Sequence, residues 1–81
     1  MEELRSYLSI EGYLYEVLGE SAINLPFVEG DCMIIANDNL YKVFVYNNDT
    51  NNMRAESNWI EMEEVLSFIY KVLFLADIEA Y

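Results

Sequence analysis

The run Cys32–Asn47, CMIIANDNLYKVFVYN, decides the fold. Two stretches rich in β-branched and aromatic residues, Cys32–Ala36 and Leu40–Asn47, flank Asn37-Asp38-Asn39. Asn and Asp tolerate positive φ and close tight turns, so the pattern predicts a β-hairpin. Alternation along the second strand places Tyr41, Val43 and Val45 on one sheet face. Leu40, Lys42, Phe44 and Tyr46 fall on the other, a set too aromatic for an idle solvent face, which implies that something packs on it.

Downstream, Asn47–Asn52 (NNDTNN) reads as a polar loop, and Met53–Ser57 as a short third strand returning beside Leu40–Asn47. The stretch Ser57–Ala76, SNWIEMEEVLSFIYKVLFLA, is the longest regular piece. At helical spacing Trp59, Met62, Val65, Leu66, Ile69, Tyr70, Val72, Leu73 and Ala76 share one broad face. Asn58 and Glu61 fit a helix start, and Glu61, Glu63 and Glu64 sit where the helix dipole favours negative charge. The expectation is a helix from Trp59 to Ala76, with Trp59–Met62 finishing a strand as the alternative. Phe68 and Leu75 project on the opposite side, either beneath an adjacent element or as a ridge for a partner.

Upstream, Leu4, Tyr7, Leu8, Leu14, Tyr15 and Leu18 form a helical stripe over Glu2–Leu18, with Gly19 at a helix stop. Gly12 weakens such a helix by about 1 kcal/mol, and a competing reading breaks it there and makes Tyr13–Leu18 a strand. Glu11 lies inside the stripe and is expected to reach solvent at the helix edge, because an unpaired buried carboxylate is costly. Glu20–Gly30, punctuated by Pro26 and Gly30, reads as a connector. No repeat or linker divides the chain, so residues 1–81 are expected to form one α+β domain. Its expected parts are an N-terminal helix, an antiparallel β-hairpin or three-stranded sheet, and a long C-terminal helix packed on one sheet face.

Fifteen Asp and Glu oppose Arg5, Lys42, Arg54 and Lys71, for a net charge of −11. Such a chain repels nucleic acid and anionic membranes and attracts basic surfaces. Apolar residues make up 54%, too many for a disordered chain and enough to leave some on the surface for a partner. The start MEELRSYL lacks the basic and apolar regions of a secretion signal, and the lone Cys32 cannot form an internal disulfide. Both point to a reducing, cytoplasmic location, which also deprives the Asn48-Asp49-Thr50 sequon of meaning. The apolar run Phe68–Ala76 is too short to span a bilayer and contains Lys71.

Reactive groups are scarce. The chain has no His, the usual general base and commonest metal ligand. Cys32 has no His partner and opens an apolar run, so a small buried side chain is expected rather than a nucleophile. The spacing of Asn47, Asp49 and Asn51 hints at a calcium loop, but Asn58 stands where such a loop needs its bidentate Glu. No enzyme activity, metal or cofactor is expected.

Two functions from different classes remain. In the first, carboxylates occupy Lys/Arg sites built for phosphates on a nucleic-acid-binding protein, and so inhibit it. The groups put forward are Glu61, Glu63 and Glu64 at the start of the long helix, Asp77 and Glu79 at its end, and Glu29, Asp31 and Asp38 around the hairpin. Phe68, Leu75 and Tyr46 are the apolar and aromatic contacts, with Tyr13, Trp59 and Tyr81 as further aromatic anchors. Small size, acidity, missing catalytic residues and many Tyr resemble, in character alone, the inhibitors phages direct against CRISPR effectors, restriction enzymes or DNA-repair enzymes. The second function is an antitoxin-like, immunity-like or homodimeric accessory module that binds through apolar surface, chiefly Phe68 and Leu75.

Overall fold

The computed structural model describes residues 1–47, 50 and 52–75, the last without its side chain. The element order is helix α1 (Glu2–Ile10), strands β1 (Glu16–Gly19), β2 (Ala22–Pro26), β3 (Gly30–Asn37), β4 (Leu40–Asn47) and β5 (Met53–Glu56), then helix α2 (Met62–Tyr70). The strands form an antiparallel meander in the order β1-β2-β3-β4-β5. The α+β class and the N-terminal helix match the sequence expectation; a sheet of two or three strands does not.

The hairpin forms where its turn residues demand. Asn37 pairs with Leu40, and Asp38 takes φ 56, the left-handed conformation that Asp tolerates. Met53–Glu56 returns beside β4 with a bulge between Val45 and Tyr46. The two extra strands come from segments expected to be a helix and a connector. Helix α1 stops at Gly12 rather than Gly19, because Gly12 adopts φ +85. The Gly12 N–H then donates to the Ser9 carbonyl at 3.1 Å and the Tyr13 N–H to the Leu8 carbonyl at 2.8 Å, which closes the helix end. With that closure Glu16–Gly19 is released to pair with β2.

Strand β2 was hidden in the supposed connector. Ile23 and Leu25 are buried while Ala22 and Asn24 are half-buried, a period of two that Pro26 interrupts only at the last residue. The turn that follows is closed by reciprocal bonds between Phe27 and Gly30.

The C-terminal helix also differs from the Trp59–Ala76 expectation. Ile60 exchanges backbone hydrogen bonds with Tyr41 at 2.8 Å each way, keeping the chain extended past Asn58. Glu61, at φ −80 and ψ 162, therefore becomes the N-cap, and its N–H donates to Glu64 Oε2 at 3.2 Å. After Tyr70 the helix continues as a π-helical turn, Lys71–Leu75. Ala76 lies outside the described residues.

Both helices cover one face of the sheet. Leu4 and Leu8 of α1, and Val65, Leu66, Ile69 and Leu73 of the C-terminal helix, form one buried cluster with Ile23, Leu25, Cys32, Ile34, Tyr41, Val43 and Val45. Thus Tyr41, Val43 and Val45 do share the core face. Phe68 is half-buried against this cluster, so a neighbouring element covers much of it. Glu11 caps α1 and is exposed, as expected. Ser57 is the polar residue within the core: its Oγ accepts the Val43 N–H at 2.9 Å and donates to the Asn58 carbonyl at 2.7 Å. No helix among the described residues is long and apolar enough to cross a membrane.

Candidate partner-binding surface

Antiparallel partners share a face, so the register maps the side of the sheet away from the helices. One row crosses all five strands: Glu16, Asn24, Met33, Phe44, Glu56. A flanking row holds Ala22, Ile35 and Lys42, and the other holds Pro26, Asp31, Tyr46 and Met53. The centre is apolar and aromatic, and the five-strand row begins and ends on a carboxylate. Among the described residues no helix lies over this face. Here sit the Lys42, Phe44 and Tyr46 side chains whose composition implied a packing partner.

The edges of the face are held by specific contacts. Lys42 Nζ pairs with Glu56 at 2.8 Å and lies 5.9 Å above the rings of both Phe44 and Trp59. On the far side, Asn24 Nδ2 donates to Glu16 Oε1 at 3.4 Å. Between them, Glu16, Leu18, Asn24, Asp31, Met33 and Tyr46 line an open groove of about 420 Å³.

The residues put forward from sequence fall into separate places. Asp31 and Tyr46 are directly paired on the open face, and Glu29 lies in the adjoining β2–β3 turn. Asp38 sits in the β3–β4 turn, at the opposite end of that hairpin. Glu61, Glu63 and Glu64 gather at the start of α2, where a hydrogen bond that the protonated Glu61 carboxyl donates to Glu63, then repulsion by Glu63 and Glu64, pushes the Glu61 carboxyl above its ordinary value. Phe68 belongs to the core periphery rather than to a ridge. The Leu75 side chain, Asp77, Glu79 and Tyr81 lie outside the described residues, as do Asn48, Asp49 and Asn51 of the polar loop. Glu16, Leu18, Met33 and Met53 were not singled out. The strand reading of Tyr13–Leu18, carried through to its facing partners, would have brought Glu16 and Leu18 in.

Three of the four basic residues are engaged by the chain itself. Arg5 stands 5.9 Å over the Tyr15 ring, and its hydrogen bond, with one from Ser9, lowers the Tyr15 pKa. Arg54 Nη2 donates to the Val72 carbonyl at 3.0 Å, and Lys42 holds Glu56. Fifteen acids against four bases leave at least eleven carboxylates without a basic partner of their own. Among the described residues no group of three or more acidic, Cys or His side chains is placed to hold a metal. Cys32 is buried, and burial, then Asp31, pushes its thiol up to about 12, which leaves it protonated and unreactive at neutral pH.

A second exposed surface lies at the edge of the sheet. Val17 pairs with buried Ile23 yet remains 54% exposed, so the helical layer stops short of β1. Leu14 and Val28 are 84% and 89% exposed. Nearby, Tyr13, Phe27, Tyr70 and Phe74 form a chain of ring contacts at 6.1, 6.2 and 5.5 Å, with the Tyr13 and Tyr70 hydroxyls hydrogen-bonded to each other.

Comparison with protein-family models, with curated proteins and with solved structures finds no match for this chain.

Proposed function

We propose that this chain is a non-catalytic inhibitor that docks on a basic, nucleic-acid-binding protein and occupies the surface its nucleic acid would take. One observation carries the reading: the sheet has a face that no helix among the described residues covers, whose aromatic centre is flanked by carboxylates, on a chain of net charge −11. Apolar anchors hold such a complex, while unpaired acids steer the encounter and displace counterions from Lys/Arg sites. Such a mode of action would suit a phage inhibitor of the anti-CRISPR or anti-restriction type, with the host cytoplasm as its setting. The test is retention of a host protein on the immobilised chain, followed by a salt gradient. Affinity should fall by at least about tenfold between 50 and 300 mM salt. A retained partner whose affinity stays flat over that range removes the charge-substitution reading.

The exposed apolar residues around β1 favour a second reading, an antitoxin-like, immunity-like or homodimeric module held by apolar contact. Under it, light scattering gives a dimer or a salt-insensitive complex, and reversing Glu29 and Asp31 to Lys at the open face leaves assembly unchanged. Loss of binding on that reversal supports the inhibitor.

A further inference from the structure

The open sheet face carries carboxylates in two neighbouring rows, and the surface between them is not flat. Glu16 stands in the same row as Asn24 and Met33, while Asp31 stands two residues along β3 from Met33, on the same face. Two strand spacings and a two-residue step separate the Glu16 and Asp31 backbones by about 12 Å. Side chains reaching inward from both leave a gap on the scale of one planar cation. The groove floor offers the Met33 thioether and the Tyr46 ring, which pairs directly across from Asp31. The Asn24 amide nitrogen is spent on one Glu16 oxygen, so the other oxygen is free of that bond.

We infer that this groove receives arginine side chains from the partner's nucleic-acid-binding surface. The guanidinium would lie against Tyr46 with its N–H groups directed to Glu16 and Asp31. Charge complementarity selects a cation, and the floor selects which one. A guanidinium is planar, weakly hydrated and stacks on aromatic rings, whereas a lysine ammonium is a strongly hydrated point charge that gains little from Met33 and Tyr46. Arginines that serve phosphates are fork-shaped donors already suited to carboxylates. The inference rests on the proposed inhibitor function and places its contact on the sheet rather than at the start of α2.

The experiment is an amide NMR titration of the intact ¹⁵N-labelled chain at low salt with acetyl-Gly-Arg-Gly-Arg-Gly-amide, repeated with lysine in place of arginine. The arginine peptide should move the resonances of Leu18, Asn24, Asp31, Met33 and Tyr46, and bind more tightly than the lysine peptide. The double variant Glu16→Gln, Asp31→Asn should lose at least about tenfold in affinity while keeping a dispersed, folded spectrum. Tyr46→Leu should reduce the preference for arginine over lysine. Shifts centred on Glu61–Glu64, or equal affinity for the two peptides, would overturn the groove assignment and leave the basic-partner reading standing. No shifts with either peptide would overturn both.

Discussion

Two glycines show how different physical demands produce the same residue type. Gly30 is buried, and a Cβ there would run into the Tyr46 carbonyl oxygen and press on Leu73 at 3.2 Å. The obstacle is backbone of the neighbouring strand, which cannot yield without opening the sheet. Gly30→Ala should therefore cost about 3 kcal/mol in a urea melt, in line with other overpacked sites. Gly12 has open space around it but a positive φ, so Gly12→Ala should cost only the backbone strain, about 1 to 2 kcal/mol. Equal costs at the two positions would contradict this account. Cys32 was readable from sequence as a buried thiol because it opens an apolar strand. Gly30 was readable only as punctuation, since its close neighbour Leu73 is 43 residues away in the chain.

At the scale of elements, the start of α2 gathers like charges for the sake of its cap. The Glu61 carboxyl is held above its ordinary value, so the folded chain keeps that proton more tightly than the unfolded chain does. Stability from this group is gained as pH falls through the folded value towards the unfolded one, and lost as pH rises again. Glu63→Ala removes both the acceptor and the repelling charge that Glu63 supplies. Glu61 should then titrate closer to an ordinary carboxyl when followed by carboxyl ¹³C NMR, and an unmoved titration would show that Glu63 is not responsible. Phe68 illustrates a second point about elements. Because it packs on the core, Phe68→Asp tests folding more than assembly, whereas Leu18→Lys, at a residue 55% exposed, tests contact at the groove. Leu18→Lys should leave the thermal midpoint within about 2 °C of the original while weakening partner binding, because it sets a like charge against the arginine. A collapse in stability would mean that Leu18 is structural.

What could be read from sequence at this scale followed local signals. The hairpin announced itself through alternation and its Asn-Asp-Asn turn, and β5 through its position after the loop. The first helix misled because Leu14, Tyr15 and Leu18 continue its apolar stripe, so periodicity alone ran past the left-handed Gly12. Strand β2 was masked by Pro26 and by its short length. The start of α2 was misplaced because the pull of Tyr41 on Ile60 is a contact between distant residues.

For the whole molecule, the decisive fact is that two helices cover one side of a five-stranded sheet and, among the described residues, leave the other open. Composition indicated surplus acid and surplus apolar surface, and the register brings Glu16, Asp31 and Glu56 together with Met33, Phe44 and Tyr46 on that open side. The acids named from sequence were scattered, because charge alone does not specify a face; Asp31 and Tyr46 emerged as neighbours once β3 and β4 were paired in register. The account requires that this side engage a protein in competition with nucleic acid. The most direct measurement loads host-cell extract on DNA-cellulose and washes it at low salt with the purified chain, with the Glu16→Gln, Asp31→Asn double variant, and with an unrelated protein of equal net charge. The account predicts that the chain releases a discrete DNA-bound protein that the double variant and the control leave behind. Release of the same proteins by all three, or by none, would contradict it.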